Sequence, residues 1–327
     1  MRVCSYLDVS GLVDQSGIGV AQRNTLRALS EAGVEVTDDP RERYDLLHLQ
    51  YIGPLAWHHA RRAKRRGIPV VLTVHAPPDL VRGGITCSGL VAPLYEAYLR
   101  RFVRRVDLLL APSAFAAEAI RPISGGRPVR VASSGVEVER FRYQEEDRAA
   151  FRRERGLDRP TVLAVGQLIP RKGVATLLEV ARAVPEAEFL WAGPRPSRFL
   201  FWSPRFERLL RSRPGNVRFL GFIPKVERAY SGCDAFFHPA HAESLGLVLL
   251  EASAGGLPIV ARRLPVYEGW FHEGEDGLLG ERPEEFARQL RGILAGEERR
   301  REVGALALRY DLPRAAEALL AAYREVL

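Results

Sequence analysis

The sequence alternates short, almost continuously apolar segments with longer segments in which apolar residues recur at helical spacing. Residues 67–74 and 161–165 are two of the apolar segments, and glycine or proline flanks each of them. Segments of this kind are typical of strands in a parallel sheet that is covered by helices on both faces. Because the alternation continues through both halves of the 327-residue chain, we predict an α/β protein with two doubly wound, Rossmann-like domains.

The predicted boundary between the domains lies in a polar segment, residues 142–159, which carries clusters of charge and no strand pattern. We therefore predict an N-terminal domain over residues 1–155 and a C-terminal domain over residues 156–310. Residues 311–327 form a final predicted helix. The first residues of the chain have a strand pattern and not that of a signal peptide.

Composition narrows the class of protein. Hydrophobic residues make up 46% and charged residues 27% of the chain, as in soluble globular proteins, and no apolar run is long enough to span a membrane. Cys4, Cys87 and Cys233 are far apart, which indicates reduced, cytosolic thiols and no metal-ligand spacing. The net charge of +8 favours an anionic partner such as a nucleotide or an anionic lipid. No nucleic-acid-binding motif accompanies it, so we expect no nucleic-acid partner.

Two glycine-bounded turns lie between a strand and a helix. The first contains Gly17 and Gly19, before a predicted helix that begins at Val20. The second runs from Gly166 to Gly173 and contains two cations. Backbone amides at such a turn, together with Arg and Lys side chains, can bind a phosphate group, although glycines also serve simply to make tight turns.

Two carboxylates mark the segment that follows the last strands of the second half. Glu243 and Glu251 are eight residues apart, and an apolar run, residues 247–250, lies between them. On a continuous helix they would share one face, roughly 12 Å apart. A polar ligand could bind both, whereas a capping glutamate and a structural ion pair would explain them equally well.

A histidine ends one of the apolar strands of the first half. His75 follows residues 67–74, at the sheet edge where open α/β sheets bind ligands. A hydrogen-bonded structural histidine is the alternative.

Taken together, these motifs resemble retaining glycosyltransferases of the GT-B fold, and more narrowly the large family-four (group 1) type that uses nucleotide sugars. The resemblance covers essentially the whole chain. Several longer phrases, such as residues 51–57 and 264–270, are similar to bacterial enzymes that add a second hexose to monoglucosyl-diacylglycerol. The residues that carry the family resemblance are Ser16, Gly17, Gly19, His48, His75, Pro112, Ser113, Ser134, Gly135, Val136, Gly166, Lys172, Gly173, Gly221, Phe222, Asp234, Pro239, Glu243, Ser244, Gly246 and Glu251.

The resemblance implies two domains that face each other across a cleft, with the last helix returning to the N-terminal domain. It also implies a donor site in the C-terminal domain. Lys172 would hold the diphosphate, Glu251 the ribose hydroxyls, and Glu243 the transferring sugar. The full predicted donor-binding set is Gly17, Gly19, Gly166, Gln167, Arg171, Lys172, Phe222, Glu243, Ser244, Leu245, Gly246, Leu247 and Glu251.

The predicted catalytic residues are His75, Glu243 and Lys172. The family usually has an arginine directly after Gly166, where this chain has Gln167, so Arg171 is expected to substitute or Lys172 to act with backbone amides. The sequence contains no Asp-x-Asp motif, and we therefore expect no metal and no cofactor. Side chains and helix N-termini would then stabilise the departing diphosphate.

The acceptor is expected to meet the N-terminal domain. Two basic helices, residues 57–66 and 92–105, mix arginines with aromatic residues, and such a surface suits an anionic membrane. The apolar residues 199–202 are a further candidate for lipid contact, and a solvated basic face with ordinary core packing is the alternative. We therefore expect a cytoplasmic enzyme, peripheral on the inner face of the cell membrane.

The expected reaction is transfer of a hexose from UDP-glucose or UDP-galactose to a membrane glycolipid such as monoglucosyl-diacylglycerol. A soluble glycosyltransferase with a polysaccharide precursor or a small sugar as its acceptor is the main alternative. A nucleotide-binding protein with a decayed active site is a third, against which the intact His75, Lys172, Glu243 and Glu251 argue. The sequence does not fix the nucleotide base, the sugar, the linkage or the oligomeric state.

Overall fold

The structure is a computed structural model that describes residues 1–8, 16–77, 88–195, 203–297 and 300–327. The chain forms two compact units. The first contains the described residues up to Gly135 together with Tyr310–Leu327, and the second contains Val136–Arg309.

The first unit is built on a six-stranded, fully parallel sheet with the strand order β2-β1-β3-β4-β5-β6. Its strands are β1 (Arg2–Tyr6), β2 (Glu35–Thr37), β3 (Leu46–Leu49), β4 (Val70–Thr73), β5 (Leu108–Ala111) and β6 (Val129–Val131). Its helices are α1 (Gly17–Glu31), α2 (Pro54–Arg65), α3 (Ser88–Val103), α4 (Ala114–Ile120) and the C-terminal α13 (Leu312–Arg324).

Burial of the central strands explains their apolar composition. Every residue of β3, β4 and β5 is buried, because helices cover both faces of the sheet. Side chains of α2, α3 and α4 form the core on one face, and side chains of α1 and α13 contribute to the core on the other. The edge strand β6 is mostly exposed.

The C-terminal helix α13 belongs to the first unit. Its first turn is capped by Asp311, whose side chain accepts a hydrogen bond from the amide of Arg314 at 3.0 Å. The helix packs against α1, and Leu319 and Tyr323 lie in the core beneath it. Gly135, at φ +71°, passes so close to the start of the helix that a Cβ there would lie 2.9 Å from the carbonyl oxygen of Asp311.

The second unit contains another six-stranded parallel sheet, with the order β12-β11-β10-β7-β8-β9. Its strands are β7 (Thr161–Val165), β8 (Glu188–Ala192), β9 (Val217–Gly221), β10 (Ala235–His238), β11 (Ile259–Arg262) and β12 (Leu278–Gly280). Its helices are α5 (Val138–Phe141), α6 (Glu145–Arg155), α7 (Val174–Ala183), α8 (Pro204–Arg211), α9 (Glu227–Gly232), α10 (Leu247–Ala254), α11 (Pro283–Leu294) and α12 (Ala305–Arg309).

The boundary between the units differs from the prediction at residue 155. The polar segment forms the helices α5 and α6, which belong to the second unit. Two contacts hold one side of α6 against the second unit. Arg148 donates a hydrogen bond to Asp234 at 2.6 Å. Phe151 packs tightly against Gly232, where a Cβ would lie 2.3 Å from the Phe151 ring. The charge clusters form the solvated side of this helix. From the sequence pattern alone, such a charged helix could not be distinguished from a linker.

None of the helices that the structure describes is long and apolar enough to cross a membrane.

A buried polar network joins α13 to the sheet of the first unit. His48, on β3, is 0% exposed. Its Nδ1 lies 2.7 Å from the hydroxyl of Tyr323 on α13, and its Nε2 lies 2.6 Å from Oγ1 of Thr73 on β4. Burial, with a smaller contribution from the nearby His75, lowers the pKa of His48 to about 3. The imidazole is therefore neutral, with one nitrogen as donor and the other as acceptor.

This network makes the stability of the fold depend on pH. Because the pKa of His48 is lower in the folded chain than its ordinary value of 6.5, the unfolded chain binds a proton first as the pH falls. The contribution of His48 is therefore complete above about pH 6.5 and is lost progressively below it, at up to about 1.4 kcal/mol per pH unit.

We expect the free energy of unfolding of the wild type to fall by about 2 kcal/mol more than that of His48→Gln between pH 7 and pH 5. Urea denaturation of both chains, followed by circular dichroism at the two pH values, measures this difference. An equal fall in both chains would show that His48 does not carry the effect.

Candidate functional site

The candidate site lies where the strand order of the second sheet reverses. After β7 the chain builds β8 and β9 on one side, and it then returns to place β10, β11 and β12 on the other. β7 and β10 are therefore parallel neighbours, with Leu163 opposite Phe236. Segments that leave their carboxyl ends must meet at one edge of the sheet, which is where open α/β sheets bind ligands.

The turn after β7 is held closely against its neighbours by glycines. Gly166 approaches the strand end at Gly193, where a Cβ would lie 2.0 Å from the Gly166 carbonyl oxygen. Gly173, at φ +81°, lies against Pro239 after β10, and a Cβ there would lie 2.0 Å from the Pro239 carbonyl oxygen. Only glycine fits at the positions of Gly193 and Gly173. This packing fixes the backbone from which Lys172 projects.

The segment after β10 carries Glu243 and leads into α10. The helix begins at Leu247, directly after Gly246 at φ +98°. Glu243 therefore lies in the loop before the helix, and the prediction that it shares a helix face with Glu251 is wrong. The left-handed conformation of Gly246 interrupts the helical geometry on which that spacing was based.

Glu243 and Lys172 form a partly buried ion pair at this edge of the sheet. Nζ of Lys172 lies 2.5 Å from Oε1 of Glu243, and the Glu243 residue is 7% exposed. Nε2 of His238, the last residue of β10, lies 3.1 Å from the same oxygen. Burial alone would raise the pKa of Glu243, but the Lys172 charge and His238 outweigh it and hold that pKa well below its usual range.

Glu251 has a different kind of partner. It lies on α10, is 6% exposed, and its Oε2 accepts a hydrogen bond of 2.6 Å from the hydroxyl of Tyr230 on α9. Burial, together with the charge of Glu251, raises the pKa of Tyr230 well above its ordinary value. The phenol is therefore neutral and donates its proton to the carboxylate.

Arg171 binds the glutamate loop in this structure. Its guanidinium donates to the carbonyl of Ala242 at 2.7 Å, and its own carbonyl accepts from the amide of His241 at 2.8 Å. It thereby joins the turn after β7 to the loop that carries Glu243. Gln167 is partly buried in the same turn and has no charge with which to replace the usual arginine.

The remaining predicted donor-site residues of the second unit lie on the same two segments, with one exception. Leu245 is buried, and Ser244 and Leu247 are partly buried at the start of α10. Phe222 is the exception, because it follows β9, two strands away from β7, and is 47% exposed.

Sequence reasoning missed Tyr230 and His238 as partners of the two glutamates. Tyr230 lies in a mixed polar helix, and His238 ends an apolar strand, so neither carries a motif. The only available signal was that both are polar residues in segments destined for burial.

The predicted residues of the first unit lie at the carboxyl edge of its own sheet or on α1. His75 follows β4, and its Nε2 donates to Oε1 of Gln50 at 2.9 Å. Burial lowers the pKa of His75 to about 4, so the ring is neutral near pH 7. Gly17 and Gly19 lie in the first turn of α1, which begins at Gly17 and not at Val20 because Ser16 caps it.

Within the described ranges, no three His, Cys, Asp or Glu side chains are grouped as metal ligands require. At the sheet edge of the second unit, Lys172 and Glu243 pair with each other.

Two family models match the chain. The model described as Glycosyl transferases group 1 matches residues 145–308, which is half of the chain. The model described as Glycosyltransferase Family 4 matches residues 40–140. Each match therefore falls mainly within one of the two units.

Similar proteins support the same family assignment. A processive diacylglycerol alpha-glucosyltransferase of Acholeplasma laidlawii is 29% identical, over 100% of this chain and 99% of the relative. A sulfoquinovosyl transferase of Arabidopsis thaliana is 27% identical over 82% of this chain, which covers 53% of that protein. The crystal structure of HepE from Anabaena in complex with UDP-glucose has a TM-score of 0.75 at 18% identity, over 99% of this chain and 100% of that one.

The group 1 match, the relatives and the two six-stranded parallel sheets confirm the predicted family and fold. The chain belongs to the Glycosyl transferases group 1 family, and it is a glycosyltransferase with the GT-B fold.

Proposed function

We propose that this enzyme transfers a hexose from UDP-glucose or UDP-galactose to a membrane glycolipid such as monoglucosyl-diacylglycerol, with retention of configuration and without a metal ion. The main support for a nucleotide-sugar donor site is the pairing of Lys172 with Glu243 where the strand order reverses. The acceptor half is supported by the diacylglycerol glucosyltransferase that matches the whole chain and by the sulfoquinovosyl transferase.

The diphosphate of the donor is assigned to Lys172 and the glycine turn. The ammonium group of Lys172 has three donors and uses one of them for Glu243 in this structure. It can therefore bind a phosphate oxygen while the carboxylate stays near, and it supplies positive charge where negative charge develops as the diphosphate departs. Arg171 is a second cation in the same turn, although its guanidinium also holds the carbonyl of Ala242.

The two glutamates are assigned to the sugars of the donor. Glu251, oriented by Tyr230, would accept hydrogen bonds from both ribose hydroxyls. Glu243 would accept from hydroxyls of the transferring hexose, aided by backbone amides at the start of α10. The low pKa of Glu243 keeps it an acceptor at every pH at which the enzyme would work.

His75 is assigned to the transferring sugar, and Gly17 and Gly19 to the donor phosphates. The neutral state of His75 favours hydrogen bonding over charge as its contribution. Among the described residues, none has an atom within 4 Å of a Cβ placed at Gly17, which is compatible with close approach of a ligand to the first turn of α1. The leaving phosphate is the proposed base toward the acceptor hydroxyl.

The proposal of metal independence rests on where the positive charge is located. Nζ of Lys172 lies 2.5 Å from the buried carboxylate of Glu243, so a cation is already present where a diphosphate would bind. Its ammonium group could supply the positive charge that a divalent ion supplies in other enzymes.

The proposed membrane surface is the basic side of α2 and α3. Leu55, the second residue of α2, and Leu94, in the first half of α3, are 56% and 69% exposed. Trp57 does not extend outward, because it stacks on Tyr98 and lies against the guanidinium of Arg105. Exposed leucines on the same helices as exposed arginines suit the interface of an anionic membrane. Residues 199–202, the other candidate for lipid contact, lie outside the described residues.

For the donor half, we expect Glu251→Ala to weaken UDP binding by about 10- to 100-fold, because a charged hydrogen-bond acceptor is removed. His75→Ala should leave UDP affinity unchanged and lower kcat. Isothermal titration with UDP and initial rates of hexose transfer measure the two effects.

Glu179→Ala is the matched control, since Glu179 is exposed on α7 and should change neither quantity. Unchanged affinity in Glu251→Ala, together with an unchanged rate in His75→Ala, would refute the donor assignment.

For the acceptor half, we expect the wild type to sediment with phosphatidylglycerol vesicles at low salt. Arg61 and Arg65 are exposed on α2. Replacing both by serine should weaken vesicle binding by roughly 30-fold, at about 1 kcal/mol for each charge. Replacing Arg153 and Arg288, exposed in the second unit, removes the same charge and should have little effect. A wild-type chain that stays in the supernatant would contradict the membrane assignment.

A further inference from the structure

A row of three stacked rings lies in the second unit and ends at both glutamates. The ring centroids of Tyr230 and Phe236 are 5.6 Å apart with planes at 29°, and those of Phe236 and His238 are 6.2 Å apart with planes at 11°. At one end, the Tyr230 hydroxyl lies 2.6 Å from Oε2 of Glu251. At the other end, Nε2 of His238 lies 3.1 Å from Oε1 of Glu243.

Packing on several sides fixes the Tyr230 ring. Tyr230 is 0% exposed. Phe141 meets its ring edge-on at 5.4 Å and 88°, and Phe236 stacks on its face. Its backbone carbonyl accepts a hydrogen bond of 3.0 Å from the guanidinium of Arg300. A ring held on these sides keeps its hydroxyl in one position, which is what a positioning group requires.

The hydroxyl of Tyr230 suits this task chemically. A neutral phenol donates one short, charge-assisted hydrogen bond to a carboxylate. Such a bond favours one orientation of the Glu251 carboxylate plane. Unlike a lysine or an arginine, a phenol does not itself neutralise the carboxylate that it orients. Glu243, by comparison, contacts the cation Lys172.

A purely structural role explains this pair less well. A buried carboxylate is costly even when it is hydrogen-bonded, and an apolar side chain on α10 would cost less at a position that has no ligand. Glu251 also lies on α10, which follows the loop that leaves β10. Because β7 and β10 are neighbours in the sheet, Lys172 and Glu243 meet at the same edge.

We propose that Tyr230 is a positioning residue for nucleotide recognition, and that its hydroxyl orients the Glu251 carboxylate so that this carboxylate accepts the ribose hydroxyls of the donor. The inference rests on the proposed function, which assigns Glu251 to the ribose. Tyr230 itself does not touch the ligand.

The test compares UDP with 2′,3′-dideoxy-UDP, which lacks the two hydroxyls that Glu251 would bind. We expect the wild type to bind UDP more tightly than the dideoxy compound. In Tyr230→Phe, which removes one oxygen and keeps the stacked ring, this preference should fall by roughly tenfold. The affinity for the dideoxy compound should stay unchanged. Isothermal titration gives the four dissociation constants.

Tyr323→Phe is the matched control, because it removes a buried tyrosine hydroxyl that hydrogen-bonds His48 in the first unit. It should leave the preference for UDP as in the wild type. Thermal melting of each variant checks that it is folded. Should Tyr230→Phe not fold, Tyr230→His keeps a ring with a polar nitrogen, and it should likewise lower the preference and not the dideoxy affinity.

The possible results distinguish the role of Tyr230 from the assignment of Glu251 to the ribose. A wild type that binds both compounds equally would overturn the ribose assignment of Glu251 and the inference with it. A wild type that prefers UDP, beside a Tyr230→Phe variant with the same preference, would overturn the inference alone. Equal loss of affinity for both compounds in the variant would show a structural role for Tyr230 and would also overturn it.

Discussion

The contact between Lys172 and Glu243 is the interaction on which the proposed donor site depends. An ion pair that is largely removed from water repays the loss of hydration only when its geometry is good, and here the geometry comes from the sheet. β7 and β10 are neighbours because the strand order reverses between them, so the turn after one and the loop after the other must meet. Gly173 lets them approach, since a side chain there would collide with Pro239. The pair is thus a consequence of topology, and a cation and an anion are present at this edge before any ligand arrives.

The two glutamates are chemically alike but contact different groups, and their proposed tasks differ accordingly. Glu243 is paired with Lys172 and lies beside His238. Glu251 accepts a hydrogen bond from the neutral phenol of Tyr230, which orients its carboxylate. A carboxylate held in this way suits the hydroxyls of a ribose, and a cation with donors to spare suits a diphosphate. The stacked rings of Tyr230, Phe236 and His238 connect the two glutamates.

The sequence predicted the fold class and the family, because apolar strands and glycine turns are local patterns. It did not predict features that depend on residues far apart in the chain. Helix α6 belongs to the second unit through contacts of Arg148 with Asp234, 86 residues away. Glu243 lies outside α10 because Gly246 adopts a left-handed conformation, which spacing alone cannot show. Tyr230 and His238 have no motif, and only the packing of α9, β10 and α10 brings them to the glutamates.

In the proposed reaction, Lys172 supplies the positive charge that a metal ion supplies to a departing diphosphate in other enzymes. The most direct measurement is the rate of hexose transfer from UDP-glucose to monoglucosyl-diacylglycerol with and without excess EDTA, for the wild type and for Lys172→Ala. We expect EDTA to leave the wild-type rate unchanged and Lys172→Ala to lower it by about 100-fold or more. Loss of wild-type turnover in EDTA, with restoration by a divalent cation, would contradict this role of Lys172.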